Sequence, residues 1–357
     1  RTTRLLTPVR PGCGRKCRTY NPRFLEPPRP EPYTEQAGKT MRNRRHGPGE
    51  ASAGTQQGDA RAMYLSIRDA MVAGDEFPSP IAGLRHLAVE AVEVRLSQEY
   101  QVYAMDSKEM ITLASDEDAA AYRKHLDGLG IRACCFMTAK DFSTGDRESN
   151  AAWVARAIEL ADIMGMSVVR IDSAMSKERE LDFEKRVQLF AEGLGGALER
   201  TAGSKVALGI ENHGFQGNNL AFQLNVYQTV NSDRLGATMD TGNFYWRGYP
   251  LSEVYGILRI LAPYAKHTHA KNINYPEDQR EITREPGWEY ARYACPLDEG
   301  NISHAKVLRM LADAGYDGDV CIENESLGHY KTPGERIEVL ERDVAHCRAI
   351  IQDLALR

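Results

Sequence analysis

The sequence lacks any run of about 18 consecutive apolar residues, the length that a membrane-spanning helix requires. Cysteine is also scarce, because only seven of the 357 residues are cysteines, an odd number that includes the adjacent Cys134 and Cys135. Thiols distributed in this way fit a reducing compartment better than a disulfide framework. We therefore expect neither a membrane protein nor a disulfide-stabilised secreted protein, and we predict a cytoplasmic location.

Charge is distributed unevenly along the chain. Residues 1–62 contain 13 Lys and Arg against 5 Asp and Glu, which leaves 32 basic and 45 acidic residues for the rest. The acidic body argues against non-specific affinity for nucleic acid, although the basic leader could by itself form a nucleic-acid-binding arm. The leader also holds 8 of the 16 prolines and shows no apolar periodicity. We therefore predict a disordered, Pro/Arg-rich extension over residues 1–62 and expect no nucleic-acid partner.

From residue 63 onward the pattern alternates between strands and helices, which predicts one domain over residues 63–357. Strands are predicted at 63–67, 91–94, 131–136, 167–171, 206–210, 235–239, 265–270 and 319–322. Helices are predicted near 79–88, 116–128, 147–164, 182–200, 219–231, 251–261, 301–314 and 334–354, with a long loop at 273–300. Eight such units predict a (β/α)8 TIM barrel. The alternative is an open doubly wound sheet, which would usually carry a Gly-rich turn after its first strand, and residues 66–70 contain none.

Four potential metal ligands follow the predicted strands at regular spacing. Glu211, Asp240 and His269 are separated by 29 residues at each step, and Glu323 follows after a further 54. Active sites of TIM barrels lie at the carboxyl ends of the strands, so these side chains should converge. Three carboxylates and one imidazole would repel one another without a counter-ion. We therefore predict one divalent metal ion, Mn²⁺ or Mg²⁺ with Co²⁺ as an alternative, because oxygen ligands dominate.

Further polar side chains accompany these ligands. His267, His269 and Lys271 share strand parity and should point the same way. His269 is the preferred ligand, and His267 either replaces it or supports it by a hydrogen bond from below. Lys271 either polarises a substrate oxygen or pairs with a ligand carboxylate.

Two more residues are candidate substrate contacts. His213 shares parity with Glu211 and is expected to contact the substrate or to form a supporting hydrogen bond. Arg170 is expected to bind a carboxylate, phosphate or hydroxyl group of the substrate, or to pair with Asp172 or Glu211. The loop 273–300 carries aromatic residues that would cover the site, or it is an exposed or oligomer-contact loop.

The two glutamates suggest a reaction. Glu211 and Glu323 follow the fifth and eighth strands and should face each other across a barrel. One can remove a proton from the carbon next to a carbonyl, and the other can return one. The metal would stabilise the resulting enediolate. This is the chemistry of a sugar isomerase or epimerase, an enzyme of carbohydrate metabolism acting on a small-molecule sugar or keto-polyol.

Four short runs resemble a known family. Residues 209–213 (Gly-Ile-Glu-Asn-His), 239–243 (Met-Asp-Thr-Gly-Asn), 267–272 (His-Thr-His-Ala-Lys-Asn) and 322–324 (Ile-Glu-Asn) are similar to those of the xylose-isomerase-like TIM barrels, specifically the sugar phosphate isomerase/epimerase group. The resemblance extends over roughly residues 63–354. It implies that Glu211, Asp240, His269 and Glu323 bind one divalent metal, with Glu211 and Glu323 also acting as the acid/base pair.

The resemblance leaves alternatives open. Ketose 3-epimerases of this group usually have His where this chain has Asn243, which we assign to substrate binding. A dehydratase that removes water from a keto-polyol of the inosose type would use the same site. A sugar-binding barrel without catalytic activity is a third reading. A homo-oligomer is also compatible with the sequence.

Overall fold

Eight parallel strands close into a barrel in the computed structural model, which describes residues 63–356. The strands of these residues are β1 (Tyr64–Arg68), β2 (Ala91–Arg95), β3 (Gln101–Tyr103), β4 (Met110–Thr112), β5 (Arg132–Thr138), β6 (Val168–Ile171), β7 (Ala207–Glu211), β8 (Leu235–Asp240), β9 (Ala265–Ala270), β10 (Asn272–Ile273), β11 (Ala294–Cys295) and β12 (Asp319–Ile322). The order around the barrel is β1, β12, β9, β8, β7, β6, β5, β2. Because β1 pairs with both β12 and β2, the sheet has no free edge.

Helices connect the barrel strands on the outside. They are α1 (Pro80–His86), α2 (Asp116–Leu129), α3 (Arg147–Met164), α4 (Phe183–Arg200), α5 (Leu220–Val230), α6 (Asn243–Trp246), α7 (Leu251–Leu261), α8 (Tyr290–Tyr293), α9 (His304–Asp313) and α10 (Pro333–Ala355). Short 3-10 turns lie at Asp69–Met71, Ala262–Tyr264, Glu277–Gln279 and Leu327–His329.

Local sequence explains where several helices begin and end. Ser115 starts α2 with a capping box to Asp118, and Thr332 starts α10 in the same way with Pro333 in the first turn. Gly130 ends α2 in the left-handed region at φ 73°, where a residue without a Cβ is favoured. The start of α2, the end of α2 and the start of α10 are therefore each determined by residues close by in the sequence.

The predicted TIM barrel is confirmed, and the open sheet is excluded by barrel closure. All eight predicted barrel strands are present, with ends shifted by a residue or two.

The description of 273–300 as a plain loop is wrong, because β10 pairs antiparallel with β11. In addition, the buried Arg284 donates hydrogen bonds to the main-chain oxygens of Gln279, Ile282, Tyr245 and Tyr249. The helix predicted near 301 begins at His304, after the N-cap Ser303. The β3–β4 hairpin was not predicted.

The predicted extension 1–62 lies outside the described residues, so the domain boundary at residue 62 stays a prediction. None of the helices formed by residues 63–356 combines the length and the apolar character that a membrane span needs.

The inside of the barrel contains polar side chains below the carboxyl ends of the strands. Ser66 on β1 donates to Asp319 on β12 at 2.5 Å, and Glu93 on β2 is completely buried. Space is kept open by Gly209 on β7, where a Cβ would lie 2.5 Å from Thr238 Oγ1 of β8. The barrel therefore presents charged side chains, and not an apolar plug, beneath the site.

Two glycines in helices allow the packing to be tested with the same substitution. A Cβ on Gly193 of α4 would overlap the ring of Phe142, which is buried against Phe190, whereas nothing lies within 4 Å of a Cβ on Gly256 of α7. We expect Gly193→Ala to lower the free energy of unfolding by about 1–3 kcal/mol through overpacking. Gly256→Ala should raise it by about 0.5–1 kcal/mol, because alanine loses less backbone entropy on folding. Urea denaturation followed by circular dichroism measures both, and equal effects of the two variants would contradict this account of α4 packing.

Candidate metal centre

Four buried side chains converge at the carboxyl end of the barrel. One ligand atom from each of Glu211, Asp240, His269 and Glu323 lies within 4.8 Å of the other three. Parallel pairing brings them together, because Asp240 of β8 is the register partner of His269 of β9. His269 in turn is the partner of Cys321, two residues before Glu323. Glu211 ends the neighbouring strand β7.

The free atoms of this cluster suit a divalent cation. Asp240 Oδ1 accepts hydrogen bonds from the main-chain N–H groups of Gly242 at 2.8 Å and Asn243 at 2.6 Å. Asp240 Oδ2 and Glu323 Oε2 are buried and accept no hydrogen bond within the described part of the chain, although the Lys271 ammonium lies 3.2 and 2.9 Å from them. Three carboxylates and one imidazole form an oxygen-rich ligand set that Mn²⁺ and Mg²⁺ prefer. The donor chemistry therefore fits the predicted cation.

His269 is oriented by contacts on both ring nitrogens. Its Nδ1 lies 3.2 Å from Glu211 Oε1 and 3.3 Å from Glu323 Oε2, so it points into the cluster. Its Nε2 lies 3.0 Å from both oxygens of Glu93. Burial lowers the pKa of His269, but the charges of Glu323, Glu93 and Glu211 outweigh burial and raise the pKa to about 10.

His267 supports His269 through an intermediate residue. Its Nδ1 lies 2.8 Å from Asp319 Oδ1 and its Nε2 lies 3.0 Å from Glu93 Oε1. The result is a fully buried chain of hydrogen bonds from Asp319 through His267 and Glu93 to His269. Of the two roles predicted for His267, the geometry matches support from below, with Glu93 between the rings.

Glu93 was missed by the sequence analysis. Its signal is an acidic residue inside the otherwise apolar start of β2, Ala-Val-Glu-Val, where an unpaired charge would be costly. Burial raises the pKa of Glu93, but the His269 and His267 cations hold it well below its usual range. Glu93, His267, His269 and Cys321 also cluster within 4.8 Å, but the histidine nitrogens and Glu93 already bond to one another.

Each of the two candidate acid/base glutamates forms an ion pair with an arginine. Arg170 contacts Glu211 through two nitrogens, with Nε at 2.7 Å from Oε2, and lies 3.5 Å from Asp172. Arg68 at the end of β1 pairs with Glu323 and lies 3.6 Å from Glu93. Arg170 thus forms both of the ion pairs predicted as alternatives to substrate binding. Arg68 was not predicted, although it ends a strand as the ligands do.

Neighbouring cations keep both glutamates ionised. Burial raises the pKa of Glu323, but His269, Lys271 and Arg68 outweigh it and lower the pKa to about 2. Arg170 and His269 likewise overcome burial and hold the pKa of Glu211 well below its usual range. Asp240 behaves differently, because burial, together with the Glu323 and Glu211 charges, raises its pKa to about 8 despite Lys271.

Lys271 lies among the carboxylates of this cluster. Its Nζ is 2.9 Å from Glu323 Oε2, 3.2 Å from Asp240 Oδ2 and 2.9 Å from Glu325 Oε1. Burial lowers the pKa of Lys271, but Asp240, Glu323 and Glu325 raise it well above its usual range. Tyr290 of α8 donates its hydroxyl to Glu325, which ties the 273–300 segment to this edge of the cluster.

Asn243 and His213 occupy different levels of the site. Asn243 is buried, and its Nδ2 donates to Glu211 Oε1 at 3.1 Å. His213 has 43% of its side chain exposed, and its Nδ1 lies 2.9 Å from Asp172 Oδ1. The bond to Asp172 raises the pKa of His213 to about 9, although burial opposes this shift. His213 is therefore a cation at the mouth at neutral pH, whereas Asn243 orients the candidate ligand Glu211.

Comparison with known proteins identifies the family. A sequence model described as xylose isomerase-like TIM barrel matches residues 84–350. An L-ribulose 3-epimerase structure superposes with a TM-score of 0.59 at 15% identity, covering 82% of this chain and 95% of the other. The IolI protein with a bound zinc atom gives 0.58 at 17% identity, covering 82% and 99%. The probable 3-DHS dehydratase AsbF from Bacillus anthracis gives 0.54 at 15% identity, covering 79% and 98%.

At these identities the structural likeness establishes the fold alone. A comparison with curated protein sequences finds no match. The family model covers most of the chain and confirms the resemblance seen in the four sequence runs. The chain belongs to the xylose isomerase-like TIM barrel family.

Proposed function

We propose that this protein is a divalent-cation-dependent sugar isomerase or epimerase that transfers a proton at the carbon next to a carbonyl group. One observation carries the proposal: Glu211 and Glu323 lie on two sides of one buried cluster, with His269 Nδ1 at 3.2 and 3.3 Å from them. A substrate carbon held at this cluster has a carboxylate on either side. This arrangement suits removal of a proton by one glutamate and return of a proton by the other.

The residues around the two glutamates have distinct roles in this proposal. Arg170 and His269 keep Glu211 ionised. His269, Lys271 and Arg68 do the same for Glu323, so each glutamate can accept a proton at neutral pH. Asn243 donates to Glu211 and restricts its rotation. The Lys271 ammonium, with its three donors, can hold a substrate oxygen next to Glu323.

Glu211, Asp240, His269 and Glu323 would hold the cation. When bound, a divalent cation withdraws electron density from the oxygens of an α-hydroxyketone and acidifies the C–H bond between them. This acidification matters because carboxylates held at a low pKa are weak bases. The oxygen-rich donor set supports Mn²⁺ or Mg²⁺, with Co²⁺ as an alternative. Zn²⁺, which the IolI structure contains, belongs among the ions to be tested.

A dehydratase acting on a keto-polyol is the second candidate. It would begin with the same proton removal and would then expel a hydroxyl group from the next carbon. The partly exposed His213 favours it, because an imidazolium with a pKa of about 9 can donate a proton to a departing hydroxyl. The structural likeness to a probable dehydratase is compatible with this candidate.

Proton exchange tests the reaction. We expect the Mn²⁺-loaded protein in deuterated buffer to introduce deuterium next to the carbonyl of at least one member of a ketose panel, measured by NMR. Glu211→Gln and Glu323→Gln should each slow the exchange by about 10²- to 10⁴-fold, since each removes one proton carrier. Loss of one water from a keto-inositol, measured by mass spectrometry, would indicate the dehydratase.

The matched control is Glu253→Gln on the exposed face of α7, which should leave exchange unchanged. If Glu211→Gln exchanges as fast as the parent, its assignment as a proton carrier is wrong. A protein that binds sugars without exchange or water loss would be a binding barrel.

Cation binding should release protons. His269 holds a proton at neutral pH because its pKa is about 10, and a cation needs the Nδ1 lone pair. Asp240, with its pKa of about 8, should release a second proton in part. We therefore expect one cation per chain, about one to two protons released at pH 7, and an affinity that rises with pH toward 10.

Calorimetric titration of Mn²⁺ in buffers of different ionisation enthalpy measures the released protons. His269→Gln should lose both the tight binding and the His269 share of the release. His86→Gln, which alters an exposed histidine on α1, is the control and should behave as the parent. A binding enthalpy that is independent of the buffer would contradict the protonation states proposed for His269 and Asp240.

A further inference from the structure

Three arginines surround one aromatic ring on the face of the barrel that carries the metal ligands. The guanidinium carbons of Arg179, Arg186 and Arg247 lie 4.7, 5.7 and 5.1 Å from the centre of the Phe215 ring. We refer to these four residues as the arginine cage. Phe215 and two of the arginines, Arg186 and Arg247, are half-buried, and Arg179 is exposed.

The arginine cage is built from the loops that hold the site. Phe215 follows Glu211 by four residues and His213 by two, in the segment between β7 and α5. Arg247 ends the single turn α6, whose first residue Asn243 donates to Glu211. Arg179 and Arg186 follow β6, after Asp172. Three successive strand-end segments therefore bring three guanidinium groups to the same rim as the candidate metal centre.

No carboxylate of residues 63–356 lies within 4.0 Å of a guanidinium nitrogen of the arginine cage. Arg186 Nε donates to the main-chain oxygen of Asp182 at 3.4 Å, which leaves its charge uncompensated. Arg247 Nε is buried and has no hydrogen-bond partner in the described part of the chain. Arg170 and Arg68, which lie next to the candidate metal centre, are by contrast paired with carboxylates.

Packing on the ring explains only part of this arrangement. A guanidinium gains free energy from stacking on an aromatic face, but a third cation near the same ring adds repulsion. An unpaired buried N–H donor also costs free energy. An oxyanion would remove both costs, because arginine binds phosphate and carboxylate through a planar fork of donors.

We propose that the arginine cage binds the anionic end of the substrate, a phosphate or carboxylate at the end of the sugar chain remote from the reacting carbon. This inference rests on the proposed function for the substrate class, since it adds a charged terminus to the ketose. Phe215 packs against the carbon chain and holds the arginines apart. The protein then selects anionic ketoses over neutral ones.

Binding to the full-length protein tests the inference without requiring turnover. The probes are D-fructose, D-fructose 6-phosphate and D-fructuronate, which share a carbon skeleton and differ at the terminus, together with inorganic phosphate. Calorimetry should give dissociation constants at least about tenfold lower for one of the two anionic ketoses than for D-fructose. Whichever anion binds more tightly identifies the terminus as phosphate or carboxylate.

Substitutions locate the preference. The double variant Arg179→Gln/Arg247→Gln should lose the preference for anionic over neutral ketoses. Arg247→Lys keeps the positive charge but loses the planar arrangement of donors, so it should retain part of that preference. Arg259→Gln, on the exposed face of α7, is the matched control and should leave it intact. Thermal melting of each variant verifies that the fold is kept, and an unfolded double variant is replaced by the two single variants.

Equal affinity for the neutral and anionic ketoses overturns the inference, and so does an anion preference that survives the loss of Arg179 and Arg247. The result is separable from that of proton exchange. Anion binding that depends on the arginine cage, with no ketose exchanging deuterium, would reject the proposed reaction and keep the anion site. Deuterium exchange that depends on Glu211 and Glu323 but not on the arginine cage would support the proposed reaction and reject the anion site.

Discussion

The neutralisation of buried carboxylates is the constraint on which the site depends. Five of the buried acidic side chains belong to the candidate metal centre or to its support inside the barrel: Glu93, Glu211, Asp240, Asp319 and Glu323. Removing such charges from water is costly unless each has a partner. Arg68, Arg170, Lys271 and His267 supply the partners. Asp240 Oδ2 and Glu323 Oε2 accept no hydrogen bond in the described part of the chain and share the Lys271 ammonium, and the proposed cation would bind beside them.

The charged side chains form two levels along the barrel axis, and the two levels have different structural roles. The lower level, from Asp319 through His267 to Glu93, is closed to solvent and fully hydrogen-bonded, so it holds His269 in one orientation. The upper level contains Glu211, Asp240 and Glu323, and its contacts come from the cations Arg170, Lys271 and Arg68 and from His269. A rigid support beneath a reactive layer keeps the ligands in place, because supporting hydrogen bonds fix ring orientation and tautomer.

Part of the site could be predicted because its residues end their strands. Spacing alone placed Glu211, Asp240 and Glu323 at one rim, since parallel strands of a barrel end together. Glu93 and Arg68 escaped prediction because their partners lie 174 and 255 residues away in the sequence. The intermediate position of Glu93, between two histidines, depends on how strands β2 and β9 face each other across the barrel. The arginine cage was also missed, because loop conformation brings Arg179, Arg186 and Arg247 to Phe215.

By itself, the sequence determined the order of the eight barrel strands and the long helices between them, the barrel and the candidate ligands. These follow from local periodicity, capping signals and the regular length of a strand-helix unit. Only the tertiary structure determined which charged side chains form ion pairs with one another. It assigned Arg170 to Glu211, Arg68 to Glu323 and Lys271 to the ligand carboxylates. Such pairings depend on side-chain directions across the barrel, and electrostatic energy varies with distances of a few ångströms that no sequence spacing specifies.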